Sequence, residues 1–111
     1  MKIDPSDINE KIAKARPNLK PNTIKQYETN LRKLKKIFES DNFDFLSSPD
    51  KVKDKIKDLH YTSQRNHYNA IIVLLMALDD SKYEKILEEY GKIRDELNDK
   101  YSEEQSSGVI S

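Results

Sequence analysis

The stretch LKPNTIKQYETNLRKL, Leu19 to Leu34, decides how this chain is read. Pro21 opens a helix, because its fixed φ and missing N–H suit a first helical position. Thr23, Ile24, Tyr27, Leu31, Leu34 and, just beyond, Phe38 then recur at three- and four-residue steps, the stripe of a helix with one buried side. Turned at about 100° per residue from Tyr27, the positions opposite the stripe are Asn22, Lys25, Thr29, Arg32, Lys33 and Lys36. No acid shares that side, and Glu28 falls at its flank. A solvated helix face normally mixes signs, since like charges one turn apart repel by a few tenths of a kcal/mol. A bound polyanion turns that repulsion into attraction by releasing its counterions.

The charge totals hide this segregation. Lys and Arg number 20 and Asp and Glu number 20, for a formal net charge of zero. Between Lys11 and Lys36, however, nine bases face one acid, and from Asp79 to Ser111 ten acids face five bases. One end is therefore suited to meet an anion and the other is not. With 111 residues, 35% hydrophobic and 36% charged, the chain is long enough for one small, highly charged domain. The absence of cysteine excludes a disulfide framework and a cysteine-based zinc site. The longest apolar run, AIIVLLMAL over Ala70–Leu78, is far short of the roughly 18 residues of a membrane span. The N-terminus lacks the apolar core of a signal peptide. An intracellular, unsecreted protein without a membrane partner is expected.

Working outward, the chain reads as all-α, a compact bundle of four to five helices. Helices are predicted over about 5–15, 21–39, 49–59, 63–78 and 82–103. Asp4-Pro5 starts the first and Arg16-Pro17-Asn18 ends it. In the connection SDNFDFLSSPD, Phe43, Phe45 and Leu46 are expected to plug the core. Ser48-Pro49 caps the third helix, which turns Val52, Ile56 and Leu59 inward. Thr62 or Ser63 caps the fourth, with Tyr68, Ile71, Ile72 and Leu75 inward. The fifth presents Tyr83, Ile86, Leu87, Tyr90, Ile93, Leu97 and Tyr101, with Gly91 weakening it. One domain over 1–104 and a flexible linker over 105–111 are expected.

The fourth helix offers a second polar face. In TSQRNHYNAI, Thr62, Ser63, Asn66 and Asn69 lie opposite Tyr68, with Arg65 and His67 at the flanks. Arginine and side-chain amides on a helix's first turns are the groups that read base edges, although capping alone also accounts for Thr62 and Ser63. Signs of catalysis are weak. His60 and His67 match no metal spacing, and no HExxH, Gly-rich phosphate loop or Gly-x-Ser-x-Gly elbow occurs. The tyrosines fall on apolar stripes, where a core role outweighs a nucleophilic one. No metal, cofactor or small-molecule substrate is expected.

The two segments LKPNTIKQYETNLRKL and YTSQRNHYNAIIVLLMAL together resemble the N-terminal core-binding domain of tyrosine recombinases, the phage-integrase-like, SAM-like domain. Thr23, Tyr27 and Leu31 match that family's Ser-x-x-Thr-x-x-x-Tyr-x-x-x-Leu pattern, while Lys20 stands where the serine cap usually does. Thr62, Ser63, Ala70 and the run after it match the family's fourth helix. The resemblance covers about Pro17 to Tyr101, and the tail looks like the joining segment in recombinases of eukaryotic mobile elements and large DNA viruses. It implies a double-stranded DNA partner in the nucleus or in viral or bacterial cytoplasm, held in a clamp with a separate catalytic domain. It also implies that the second and fourth helices face the major groove. Their exposed contacts are then Asn22, Lys25, Gln26, Thr29, Lys33, Thr62, Ser63, Arg65, Asn66 and Asn69, with Arg32 and Lys36 added by the charge pattern. The acid-rich fifth helix is implied to meet other recombinase protomers. The family's arginines, lysine, histidines and tyrosine nucleophile have no counterpart arrangement here, so this chain is expected to bind DNA without cleaving it. The rival reading is a helical protein-interaction module whose basic face docks an acidic partner or another copy of the chain.

Overall fold

The computed structural model describes Ile3 and residues 7–110, with side chains as far as Lys100. Five α-helices and two short 3-10 turns follow one another, with no strand among the described residues. They are α1 (Ile8–Ala15), α2 (Pro21–Ile37), α3 (Pro49–Ile56), α4 (Tyr61–Leu78) and α5 (Glu84–Ile110), with 3-10 turns at Asp44–Ser47 and Ser81–Tyr83. The chain is an all-helical, compact bundle, as expected.

The centre of the bundle is α4. Its buried residues, from His67 through Tyr68 and from Ala70 to Leu75, point in every direction around the helix axis. A helix apolar on all sides must be surrounded, and α1, α2 and α5 all pack against it. The four inward residues expected from the sequence are all buried, but they form part of a complete sleeve and not of a stripe.

Helix α2 keeps its predicted stripe, with Ile24, Leu31 and Leu34 buried and Tyr27 and Phe38 half-buried. Its C-terminus closes with a Schellman pair: Glu39 N–H donates to the Lys36 carbonyl and Ser40 N–H to the Lys35 carbonyl. That geometry requires the left-handed region at Glu39, where φ is 50°. The connection that follows plugs the core as expected. Phe43 and Leu46 are fully enclosed, and Phe38 and Phe45 stack with centroids 4.3 Å apart. Ile3 is buried beside them, its carbonyl accepting from the Phe43 N–H at 2.8 Å. Far along the chain, Tyr90 donates its buried hydroxyl to the Leu46 carbonyl at 2.7 Å and ties α5 to this turn.

Four local expectations differ. The first helix begins at Ile8, and Asp4-Pro5 lie outside the described residues. The N-cap of α4 is His60, whose Nδ1 accepts from the Thr62 N–H at 3.2 Å, so neither Thr62 nor Ser63 is the cap. Imidazole can serve because it carries the same kind of lone pair that Ser or Asp offers there. Gln64 reinforces the junction by donating to the Leu59 carbonyl at 2.6 Å and the Lys57 carbonyl at 3.2 Å. Leu59 lies in that turn after α3 has ended and is 37% exposed. The backbone of α5 runs on to Ile110, past the boundary read near Glu103, and no proline interrupts it. Tyr101 lies beyond the described side chains.

Gly91 sits inside α5, and a Cβ built there meets nothing within 4 Å. Gly91→Ala is therefore expected to stabilise the fold by about 0.5–1 kcal/mol, through backbone entropy lost in the unfolded chain. A thermal melt by circular dichroism checks this. An unchanged or lower midpoint would show that space around Gly91 is required.

Candidate nucleic-acid interface

The polar faces read separately on two helices meet in one groove. Where α2 crosses α4, a hollow of about 410 Å³ is lined by Thr23, Gln26, Tyr27, Thr29, Asn30, Lys33, Asn66 and Asn69. No carboxylate lines it. Its walls carry one ammonium, four side-chain amides and three hydroxyls. Five residues expected at the interface therefore come together here: Gln26, Thr29, Lys33, Asn66 and Asn69. Gln26, Thr29, Lys33 and Asn66 are exposed, while Asn69 is half-buried.

The remaining expected residues divide. Asn22, Lys25 and Lys36 are exposed on α2 outside the hollow. Each lies three or four positions from a groove residue and so continues the same surface along the helix. Thr62 and Ser63 are exposed on the first turn of α4, one turn before Asn66. Arg65 is half-buried and already engaged within the protein. Arg32 departs from the expectation. It points away from the groove, pairs with Glu28 at 2.9 Å, and lines a different hollow with Lys35 and Phe43. The cause is rotation: Arg32 and Lys33 diverge by about 100° around the axis. Once Lys33 faces α4, Arg32 falls on the opposite flank beside the acid.

Thr29 donates its hydroxyl to the Lys25 carbonyl at 2.9 Å, which leaves only lone pairs facing outward. Lys33, the Gln26 amide and the two α4 asparagines supply the donors. Such a set can place an ammonium on a phosphate and amides on base or sugar edges.

Three groove-lining residues were missed from the sequence as contacts: Thr23 and Tyr27, read as part of the inward stripe, and Asn30. Asn30 lies near the margin of the apolar stripe, where an amide looks like a boundary residue. His67, read at a flank, is only 4% exposed. Its ring donates to the backbone of Asn30, and its Nδ1 is shielded with no partner. Burial pushes its pKa below the ordinary 6.5, the Asn30 contact partly opposes this, and the Lys33 ammonium adds to the lowering.

This shift predicts a pH dependence. The unfolded chain takes up a proton near pH 6.5 that the folded chain resists, so the unfolded state binds more protons below that value. His67's contribution to stability is complete above that range and is lost as pH falls through it. The melting midpoint of the wild type is expected to drop between about pH 7 and 5.5. His67→Gln is expected to lack that part of the drop. Parallel pH profiles for the two would remove His67 as its cause.

Among the described residues, no group of three or more His, Asp or Glu side chains could hold a metal ion. None of the described helices is long and apolar enough to cross a membrane. What fold and site define together is an all-helical bundle with a carboxylate-free groove of cation and amides between two of its helices. The chain matches no protein-family model, no curated protein and no solved structure.

Proposed function

We propose that the chain is a duplex-DNA-binding domain of the tyrosine-recombinase core-binding kind, docking α2 and α4 on the double helix. The observation that carries this reading is the shared groove: Gln26, Thr29 and Lys33 from α2 face Asn66 and Asn69 from α4. Lys25 and Lys36 extend the cationic surface along α2, and Asn22, Thr62 and Ser63 continue its polar edge. Phosphate contacts from the lysines supply most of the affinity and position the domain, while the α4 amides supply what sequence preference there is. Strand exchange belongs to a separate catalytic domain of the parent recombinase, and this chain places the site for it.

The experiment is a titration of a labelled duplex at several salt concentrations. A domain of this size contacting about five phosphates is expected to show log K falling against log salt with a slope near −4 to −5. Binding that ignores salt, or none with any duplex alongside concentration-dependent self-association, would favour a protein-interaction module instead.

A further inference from the structure

The α2–α4 groove has a composition that selects among base pairs. Four amides line it, Gln26 and Asn30 on α2 and Asn66 and Asn69 on α4. Each pair is spaced by about one helical turn, which keeps its members on one surface. Among the described residues, neither an arginine nor a carboxylate lines the groove, and Lys33 is its one cation. The arginines nearest in sequence are held elsewhere. Arg32 pairs with Glu28 at 2.9 Å on the opposite flank of α2, and Arg65 is half-buried and engaged within the protein.

Base edges respond differently to these groups. In the major groove guanine offers two acceptors, N7 and O6, which suit the paired donors of arginine or the ammonium of lysine. Adenine offers one acceptor and one donor, N7 and N6–H2, which a single amide matches with its own NH2 and carbonyl. Cytosine offers a donor that suits a carboxylate, and the groove has none. Thr29 sharpens the contrast. Its hydroxyl proton is committed to the Lys25 carbonyl at 2.9 Å, so toward a base it can only accept. Adenine's N6–H2 can supply that hydrogen bond, whereas guanine's edge would leave acceptor against acceptor, both unpaired. Lys33, a point charge in line with exposed Lys25 and Lys36 on α2, is suited to phosphate.

We infer that the groove prefers A·T-rich duplex. Asn66 of α4, with Asn69 and Gln26 beside it, reads adenine in the major groove while Lys33 holds phosphate. The inference rests on the duplex-DNA reading above and adds to it the base that is recognised.

The test titrates the full chain against labelled duplexes of equal length and charge, built from A·T, G·C, inosine·C or diaminopurine·T pairs. Inosine carries guanine's major-groove edge without its minor-groove amine, and diaminopurine carries adenine's major-groove edge with that amine added. The A·T and diaminopurine·T duplexes are expected to bind about tenfold tighter than the G·C and inosine·C duplexes. That ratio should persist as salt rises and every affinity falls, because base contacts release no counterions. Asn66→Ala is expected to reduce the preference to about twofold and leave the affinity for G·C unchanged. Asn66→Arg, which sets paired donors in place of an amide, is expected to reverse it. Asn66 is exposed, so both variants should keep the wild-type melting midpoint within a few degrees. Lys33→Gln is expected to weaken A·T and G·C duplexes alike, and a loss confined to G·C would show lysine reading guanine and overturn the inference. Inosine·C grouping with A·T would move the readout to the minor groove or to duplex shape and would overturn it too. So would an unchanged preference in Asn66→Ala. Equal affinity for every duplex with a steep salt slope would overturn the adenine preference and leave the DNA reading standing, whereas no binding to any duplex would overturn both.

Discussion

Lys33→Glu is expected to weaken duplex binding by about tenfold or more at moderate salt and to flatten the slope of log K against log salt by about one unit. Lys33 is the one charge lining the α2–α4 groove, and it is exposed. Reversal removes one phosphate contact and places a carboxylate among donors that the phosphate backbone would otherwise meet. Because phosphates are the same in every sequence, the loss should be uniform across duplexes. Asn66→Ala, on the facing helix, is expected to act more strongly on a preferred sequence than on others. Lys33→Glu also removes the ammonium that helps hold the His67 pKa down. An upward move of the His67 titration in NMR confirms that the variant is folded with the groove in place. Wild-type affinity in such a folded variant would remove this surface from the interface.

The second large effect concerns the joint that shapes the groove. Leu31→Ala is expected to destabilise the fold by about 2–5 kcal/mol, the usual range for emptying a sealed leucine site. Leu31 is 0% exposed and belongs to the same core cluster as Tyr68, Ile71 and Leu74 of α4. Small domains have only about 5–15 kcal/mol in total. For a chain of this length, the loss lowers the melting midpoint by about 10 °C or more. Leu59→Ala is the contrast. Leu59 is 37% exposed, so that change should shift the midpoint by no more than a few degrees. Equal effects of the two leucine variants in thermal melts would mean that α2 does not seat on α4 through Leu31.

Much of this architecture was legible in the residues. Proline at positions 17, 21 and 49 punctuates the chain where helices start and stop, because proline restricts both itself and its predecessor. The periodic stripe of Ile24, Leu31 and Leu34 gave the inner face of α2, and Phe43 and Leu46 announced themselves by being apolar in an otherwise polar loop. Periodicity could not tell that α4 is wrapped on all sides, since a stripe and a sleeve look alike where the run is short. Nor could it tell that His60 would cap α4, because histidine is an uncommon cap and its side chain must first be aimed by the turn after α3.

The site was half legible for a related reason. A helical wheel orders residues around one axis but does not say how two helices are rotated against each other. Lys33 with Asn66 and Asn69 emerged correctly as polar and outward, yet that α2 faces them with Lys33 and not Arg32 follows from how Ile24, Val73 and Ile12 pack. That packing is long-range information. The same applies to His67, which is 4% exposed on α4 and meets the backbone of Asn30 from α2.

The most direct measurement is an NMR titration of the isotope-labelled chain with a short duplex, following backbone amides and the side-chain amides of glutamine and asparagine. The largest changes are expected at Gln26, Thr29, Lys33, Asn66 and Asn69, with weaker ones at Asn22, Lys25, Lys36, Thr62 and Ser63. Changes centred instead on α3, α5 or the Arg32–Glu28 flank, with the α2–α4 groove undisturbed, would contradict the account.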